Sequence, residues 1–109
     1  MKSFLIQKSD LKNNFTGIFT PALGEAAGCL KFCGLKLYLY LAGNKNGTVW
    51  TVNPAVFAEW LGVDYRDSST ARAVRKAIQE GTEDLIKNGY LEVINDEMYK
   101  FSEQKVPEN

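Results

Sequence analysis

The sequence predicts an α+β fold: a three-helix core closed by a C-terminal β-hairpin, with a β-containing N-terminal arm. Three observations carry this reading. Residues 53–61 have the pattern of a short helix that stops at Gly62. After a polar turn, Ser69-Thr70-Ala71-Arg72-Ala73-Val74-Arg75-Lys76-Ala77-Ile78 opens a longer helix that closes on Lys87-Asn88-Gly89. Glu92-Val93-Ile94 and Met98-Tyr99-Lys100-Phe101 then flank the acidic turn Asn95-Asp96-Glu97, as in a two-stranded ribbon. Residues 1–103 read as a single domain whose arm is 1–28, and the polar stretch 104–109, with Pro107, reads as a flexible tail.

Each element has a local cause. Residues 3–7 and 15–20 are short β-branched or aromatic runs separated by Lys12-Asn13-Asn14, which predicts an N-terminal strand or extended arm. Pro21 suits the start of a short helix around Leu23-Gly24-Glu25-Ala26-Ala27, at some cost in propensity from Gly24 and Gly28. From Cys29 to Ala42, apolar residues at 30, 33, 37, 38 and 41 follow helical spacing while Lys31 and Lys36 point away. Leu35, Leu37, Leu39 and Leu41 also alternate as in a strand. The length of the run and the Gly43-Asn44 stop decide for helix. Asn44-Lys45-Asn46-Gly47 is a turn, and Thr48-Val49-Trp50-Thr51-Val52 a short strand. Asn53 caps the next helix with Pro54 at its first position, and Val56, Phe57, Trp60 and Leu61 form its expected buried stripe. In the long helix, Ala71, Val74, Ala77, Ile78, Leu85 and Ile86 mark the inner face, and Gly81 is the expected place for a kink or break.

Composition bounds the function. A chain of 109 residues with 45% apolar content can bury a core without metal or disulfide. Cys29 and Cys33, four apart on one predicted helix, share a face and read as free core thiols. No run of about 18 apolar residues is present, which argues against a transmembrane helix. The opening apolar stretch is too short for a signal peptide, so the expected location is cytoplasmic. The chain has no histidine, which removes the commonest general base and a usual zinc ligand. The pairs Glu83-Asp84 and Asp96-Glu97 diverge on a helix or sit in water, and no glycine-rich phosphate loop occurs. The reading is no enzyme, no cofactor and no metal.

The net charge is zero, which counts against a strongly basic nucleic-acid binder, yet the charge is segregated. Residues 1–52 carry +4, from six lysines against Asp10 and Glu25. Residues 65–79 carry +3, from Arg66, Arg72, Arg75 and Lys76 against Asp67. Residues 80–103 carry −5, with Lys87 and Lys100 against seven carboxylates. Basic charge therefore gathers before and at the start of the long helix.

The order helix, tight turn, longer helix, ribbon is the signature of a winged helix-turn-helix, whose second helix fits a DNA major groove. The candidate contacts are Tyr65, Arg66, Ser69, Thr70, Arg72, Arg75, Lys76 and Gln79. Arg can bind guanine O6 and N7 with two hydrogen bonds, and Gln can do the same for adenine. Arg72, Arg75, Lys76 and Gln79 are the expected readers, with Tyr65, Arg66 and Ser69 touching phosphate at the positive end of the helix dipole. The plainer alternatives are a solvated face with pairs such as Lys76–Glu80, and helix capping by Ser68-Ser69-Thr70. Trp50, Trp60, Tyr38 and Tyr40 are expected to be core rather than base-stacking residues. The acidic Asn95-Asp96-Glu97 turn would be repelled by phosphate, so it either stays off DNA or meets a protein.

The segments Leu35-Lys36-Leu37-Tyr38-Leu39-Tyr40-Leu41, Trp50-Thr51-Val52-Asn53-Pro54 and Trp60-Leu61-Gly62-Val63 resemble the winged-helix domains of plasmid and phage replication proteins and related bacterial regulators. Arg72-Ala73-Val74-Arg75-Lys76-Ala77-Ile78 and Asp84-Leu85-Ile86-Lys87-Asn88-Gly89-Tyr90-Leu91 match the run from recognition helix to wing in those domains. The resemblance covers about residues 29–101. It implies a cytosolic, commonly homodimeric module from a mobile element or low-GC bacterium that binds double-stranded DNA in replication initiation or transcriptional regulation. The alternative is a protein-interaction module that meets another protein through its acidic C-terminal half.

Overall fold

In the computed structural model, residues 3–7, 20–44 and 47–102 are described. They form four helices and a four-stranded mixed sheet in the order β1 (Ser3–Gln7), α1 (Thr20–Cys29), α2 (Phe32–Ala42), β2 (Val49–Thr51), α3 (Pro54–Leu61), α4 (Ser68–Lys87), β3 (Leu91–Asn95) and β4 (Met98–Ser102). The α+β class expected from the sequence is present.

The sheet runs β2-β1-β4-β3. Strand β1 is antiparallel to β2 and parallel to β4, with Phe4 opposite both Trp50 and Tyr99. Of the two expectations for residues 3–7, strand or extended arm, the structure has the strand, and it lies in the sheet interior. The short helix expected around residues 23–27 is present within α1. The strand or arm expected over 15–19, the centre of the 44–47 turn and the tail lie outside the described residues.

Alternation along the strands separates two faces. Phe4, Ile6, Leu91, Tyr99 and Phe101 are buried on the face that meets the helices. Tyr38 of α2 is fully buried there, edge-on to Tyr90 and Phe101 at 5.3 and 5.5 Å between ring centres. A second aromatic group joins α2 to α3: Tyr40 lies edge-on to Phe57 at 4.9 Å and to Trp60 at 5.2 Å.

Helix α3 follows its local signals. The Asn53 side chain accepts from the amides of Ala55 (2.9 Å) and Val56 (3.4 Å), Pro54 opens the helix, and Gly62 turns out of it at φ 80°. Its buried stripe differs from the expected one. Phe57 and Ala58 are buried, whereas Val56 and Trp60 are about half exposed, at 47% and 49%. The helix is only eight residues long, so one narrow face meets the core while Trp60 lies flat on Phe57 (5.8 Å, 15°) at its edge. The long helix also departs from expectation in its last turn: Ile86 is exposed, at 37%, and Asp84 is buried.

The helix expected over 29–42 is broken. Helix α1 ends at Cys29, Lys31 is extended (φ −73°, ψ 172°), and α2 begins at Phe32. The cause is Asp84 of α4, a buried carboxylate whose Oδ2 accepts from the Lys31 amide at 2.7 Å. That amide would otherwise bond the carbonyl of Ala27 in a continuous helix. Asn88 donates to Oδ1 of the same carboxylate at 3.0 Å. Cys29 and Cys33 consequently sit on different helices rather than one face, and both are half-buried free thiols.

Helix α4 runs through Gly81 without a break. Gly81 is buried where α4 crosses α2, and a Cβ there would stand 2.7 Å from the Cys33 carbonyl oxygen. Gly34 on α2 is its counterpart, since a Cβ at 34 would overlap the Asp84 carboxylate. Gly81 lets the backbones approach closely and Gly34 leaves room for the Asp84 carboxylate, which explains why residues of low helical propensity stand within these helices.

Candidate nucleic-acid interface

The turn at 62–67 delivers the chain into α4 and brings two carboxylates there. Asp64 accepts from the Arg66 amide (3.0 Å), its Nε (3.1 Å) and its Nη2 (3.4 Å). Asp67 is the N-cap of α4: its Oδ2 accepts from the Ser69 hydroxyl at 2.6 Å, the Thr70 hydroxyl at 2.8 Å and the Thr70 amide at 3.0 Å. Both carboxyls are held below their ordinary pKa, Asp64 chiefly by the Arg66 side chain and Asp67 chiefly by the Ser69 hydroxyl.

This corrects the capping expected from the sequence. The cap is Asp67, one residue before Ser68, and Ser69 and Thr70 support it. The positive end of the α4 dipole thus already holds an anion of the chain itself. The hydroxyls of Ser69 and Thr70 are directed at that carboxylate rather than outward.

Beyond the first turn, Arg72, Arg75, Lys76 and Gln79 are all exposed on α4. Arg75 Nη1 donates to the Tyr65 hydroxyl at 3.1 Å, so a half-buried residue of the turn holds that guanidinium. Lys76 pairs with Glu80 at 3.8 Å, and Gln79 donates to Glu83 at 3.4 Å. The Lys76–Glu80 pair is the one foreseen as the plain alternative, and an exposed pair of this kind contributes only about 0.3–0.5 kcal/mol. Arg72 has no polar partner among the described residues. Residues 72, 76, 79 and 83 follow one another along a single outer face at helical spacing, so the face changes from cationic to anionic within three turns.

Of the eight sequence-derived contacts, the structure brings Arg72, Arg75, Lys76 and Gln79 together on exposed α4 and ties Tyr65 to them. Arg66 is turned onto Asp64. Sequence reasoning missed the organising carboxylates Asp64 and Asp67. The spacing of Asp67 three residues before Thr70 is the signal that could have found the cap. The hairpin tip bears exposed Asp96 and Glu97, next to exposed Val93 and Ile94 on β3.

A polar cleft lies beside the C-terminal half of α4, lined by Lys31, Glu80, Glu83, Asp84 and Lys87. Among the described residues, no group of three or more His, Cys, Asp or Glu side chains could hold a metal ion, and no helix is long and apolar enough to cross a membrane. No protein-family model, curated protein or solved structure matches the chain.

Proposed function

We propose that α2, α3 and α4 with the β3–β4 hairpin act as a winged helix-turn-helix that binds double-stranded DNA, in replication initiation or transcriptional regulation of a plasmid, phage or other mobile element. One observation carries the reading. An exposed cationic stretch, Arg72, Arg75 and Lys76, stands on a long helix that follows a short capped helix across a tight glycine turn. The Arg75–Tyr65 bond supports it by setting one guanidinium in place before any ligand arrives. Acting as a cytoplasmic homodimer, two copies would engage half-sites about one DNA turn apart, roughly 34 Å.

The test is a salt titration of binding to a random-sequence duplex. If Arg72, Arg75 and Lys76 each neutralise a phosphate or approach one, log K falls against log salt with a slope of about −3 per protomer, or roughly −5 for the homodimer. Replacing Arg72 and Arg75 together with Ala weakens binding and leaves the circular dichroism spectrum unchanged. No binding at low salt, or unchanged affinity of the double variant, removes the assignment.

A second reading has its own observation. Exposed Glu80 and Glu83 in the second half of α4, and Asp96 and Glu97 at the hairpin tip near exposed Val93 and Ile94, give the C-terminal half an anionic and partly apolar character that suits a basic protein partner. A slope near zero with no duplex binding favours this one.

A further inference from the structure

We infer that Arg72 is the specificity-determining residue of α4, selecting guanine through its O6 and N7 edge, and that Arg75, held by Tyr65, serves the phosphate backbone. The inference rests on the DNA-binding reading above and deepens it.

The cations near the α4 entrance differ in how each is already engaged. Arg66 lays its guanidinium on Asp64, and Lys76 sits beside Glu80. Arg75 gives one N–H to Tyr65. Arg72 alone of these four has no polar partner among the described residues, so its fork of donors need not leave a protein acceptor to meet a base. The residues one turn before it on the same face are Ser68 and Ser69, whose small side chains leave that fork its full reach.

Electrostatics then fix which part of α4 approaches. Asp67 fills the anion position at the helix N-terminus, and Asp64 stands next to it in the turn. Phosphate is repelled from that end, so the helix meets the groove through its second turn, where Arg72 lies. A planar guanidinium matches guanine O6 and N7 with two parallel hydrogen bonds. Arg75 keeps four further N–H donors after bonding Tyr65, and its fixed position suits a sequence-independent contact.

The experiment uses the full chain. A preferred duplex is first selected from a randomised pool with the wild-type protein, and each base pair is then varied. Arg72→Ala is expected to abolish a guanine preference at one position, a loss of roughly 5- to 150-fold, with a smaller effect on random duplex. Replacing that guanine by 7-deazaguanine, which lacks the N7 acceptor, should weaken the wild type and leave Arg72→Ala unaffected. Arg75→Ala and Tyr65→Phe should weaken selected and random duplexes alike. Base preference unchanged in Arg72→Ala, or lost in Arg75→Ala instead, overturns the inference while the DNA-binding reading survives. A wild-type protein that binds duplex without any base preference has the same consequence. A wild-type protein that binds no duplex at low salt overturns both.

Discussion

Substituting Gly81 by Ala should destabilise the protein, although the same change in a helix interior ordinarily stabilises by about 1 kcal/mol. The added Cβ would lie 2.7 Å from the Cys33 carbonyl oxygen and 3.2 Å from Leu37 Cβ, inside the 3.4 Å at which ordinary contact begins. Relief requires α2 to retreat by several tenths of an ångström, because the nearest neighbour is backbone rather than a flexible tip. Overpacking costs about 1–3 kcal/mol, and a backbone neighbour places this case at about 2–3. After the propensity gain, the net loss is about 1–2 kcal/mol. In a domain of this size that lowers the midpoint of thermal unfolding by roughly 5–15 °C. Gly24→Ala is the control, since a Cβ there meets nothing within 4 Å; it should raise stability by up to about 1 kcal/mol. Thermal and urea unfolding followed by circular dichroism measure both. If Gly81→Ala is as stable as Gly24→Ala, α2 and α4 do not cross closely and the argument fails.

Asp84→Ala should cost about 1–3 kcal/mol in urea unfolding, because the Lys31 amide loses its acceptor. The Asp67 carboxyl is held below its ordinary 3.8 by the Ser69 and Thr70 hydroxyls. Its contribution to stability is therefore complete above the unfolded value and is lost as the pH falls through the lower folded one; Asp67→Asn should flatten that acid limb in a pH series of unfolding curves. Tyr90 is affected in the opposite sense. Burial, then the Cys29 thiol 3.6 Å from its hydroxyl, pushes its pKa well above the ordinary 10.0. Its contribution is present below the unfolded value and lost as the pH rises above it, and absorbance titration of the wild type and Tyr90→Phe should differ by a tyrosine that ionises late or only on unfolding.

The elements that were legible in the sequence are those whose signals are local. Asn53-Pro54 and Gly62 bound α3 because cap, fixed φ and positive φ each act within one turn. The hairpin was legible for the same reason: Asn95 accepts from the Glu97 amide at 2.8 Å and closes the turn into β4, whose burial alternates. The break at Leu30-Lys31 was not legible, because the carboxylate that causes it lies 53 residues away. Gly81 invited the idea of a kink, since its purpose is visible only when the second helix is beside it. The candidate site divides in the same way. The cationic residues of α4 were read from spacing alone, but the commitments that rank them, Arg66 to Asp64, Arg75 to Tyr65 and Lys76 to Glu80, depend on rotamers and the path of the turn. The exposure of Trp60 was missed because periodicity cannot tell how far a short helix rolls against its neighbours.

The parallel pairing of β1 with β4 has a consequence for synthesis. Residues 3–7 are made before the other described elements, yet one of their two partners is residues 98–102. Until that last strand emerges, the nascent chain holds one edge of its earliest strand, with Phe4 and Ile6, unmatched, and only the weak three-residue β2 can engage the other. Removing β1 would leave β2 stranded from the hairpin, so this short stretch is a keystone whose seat is built only when β4 has been made.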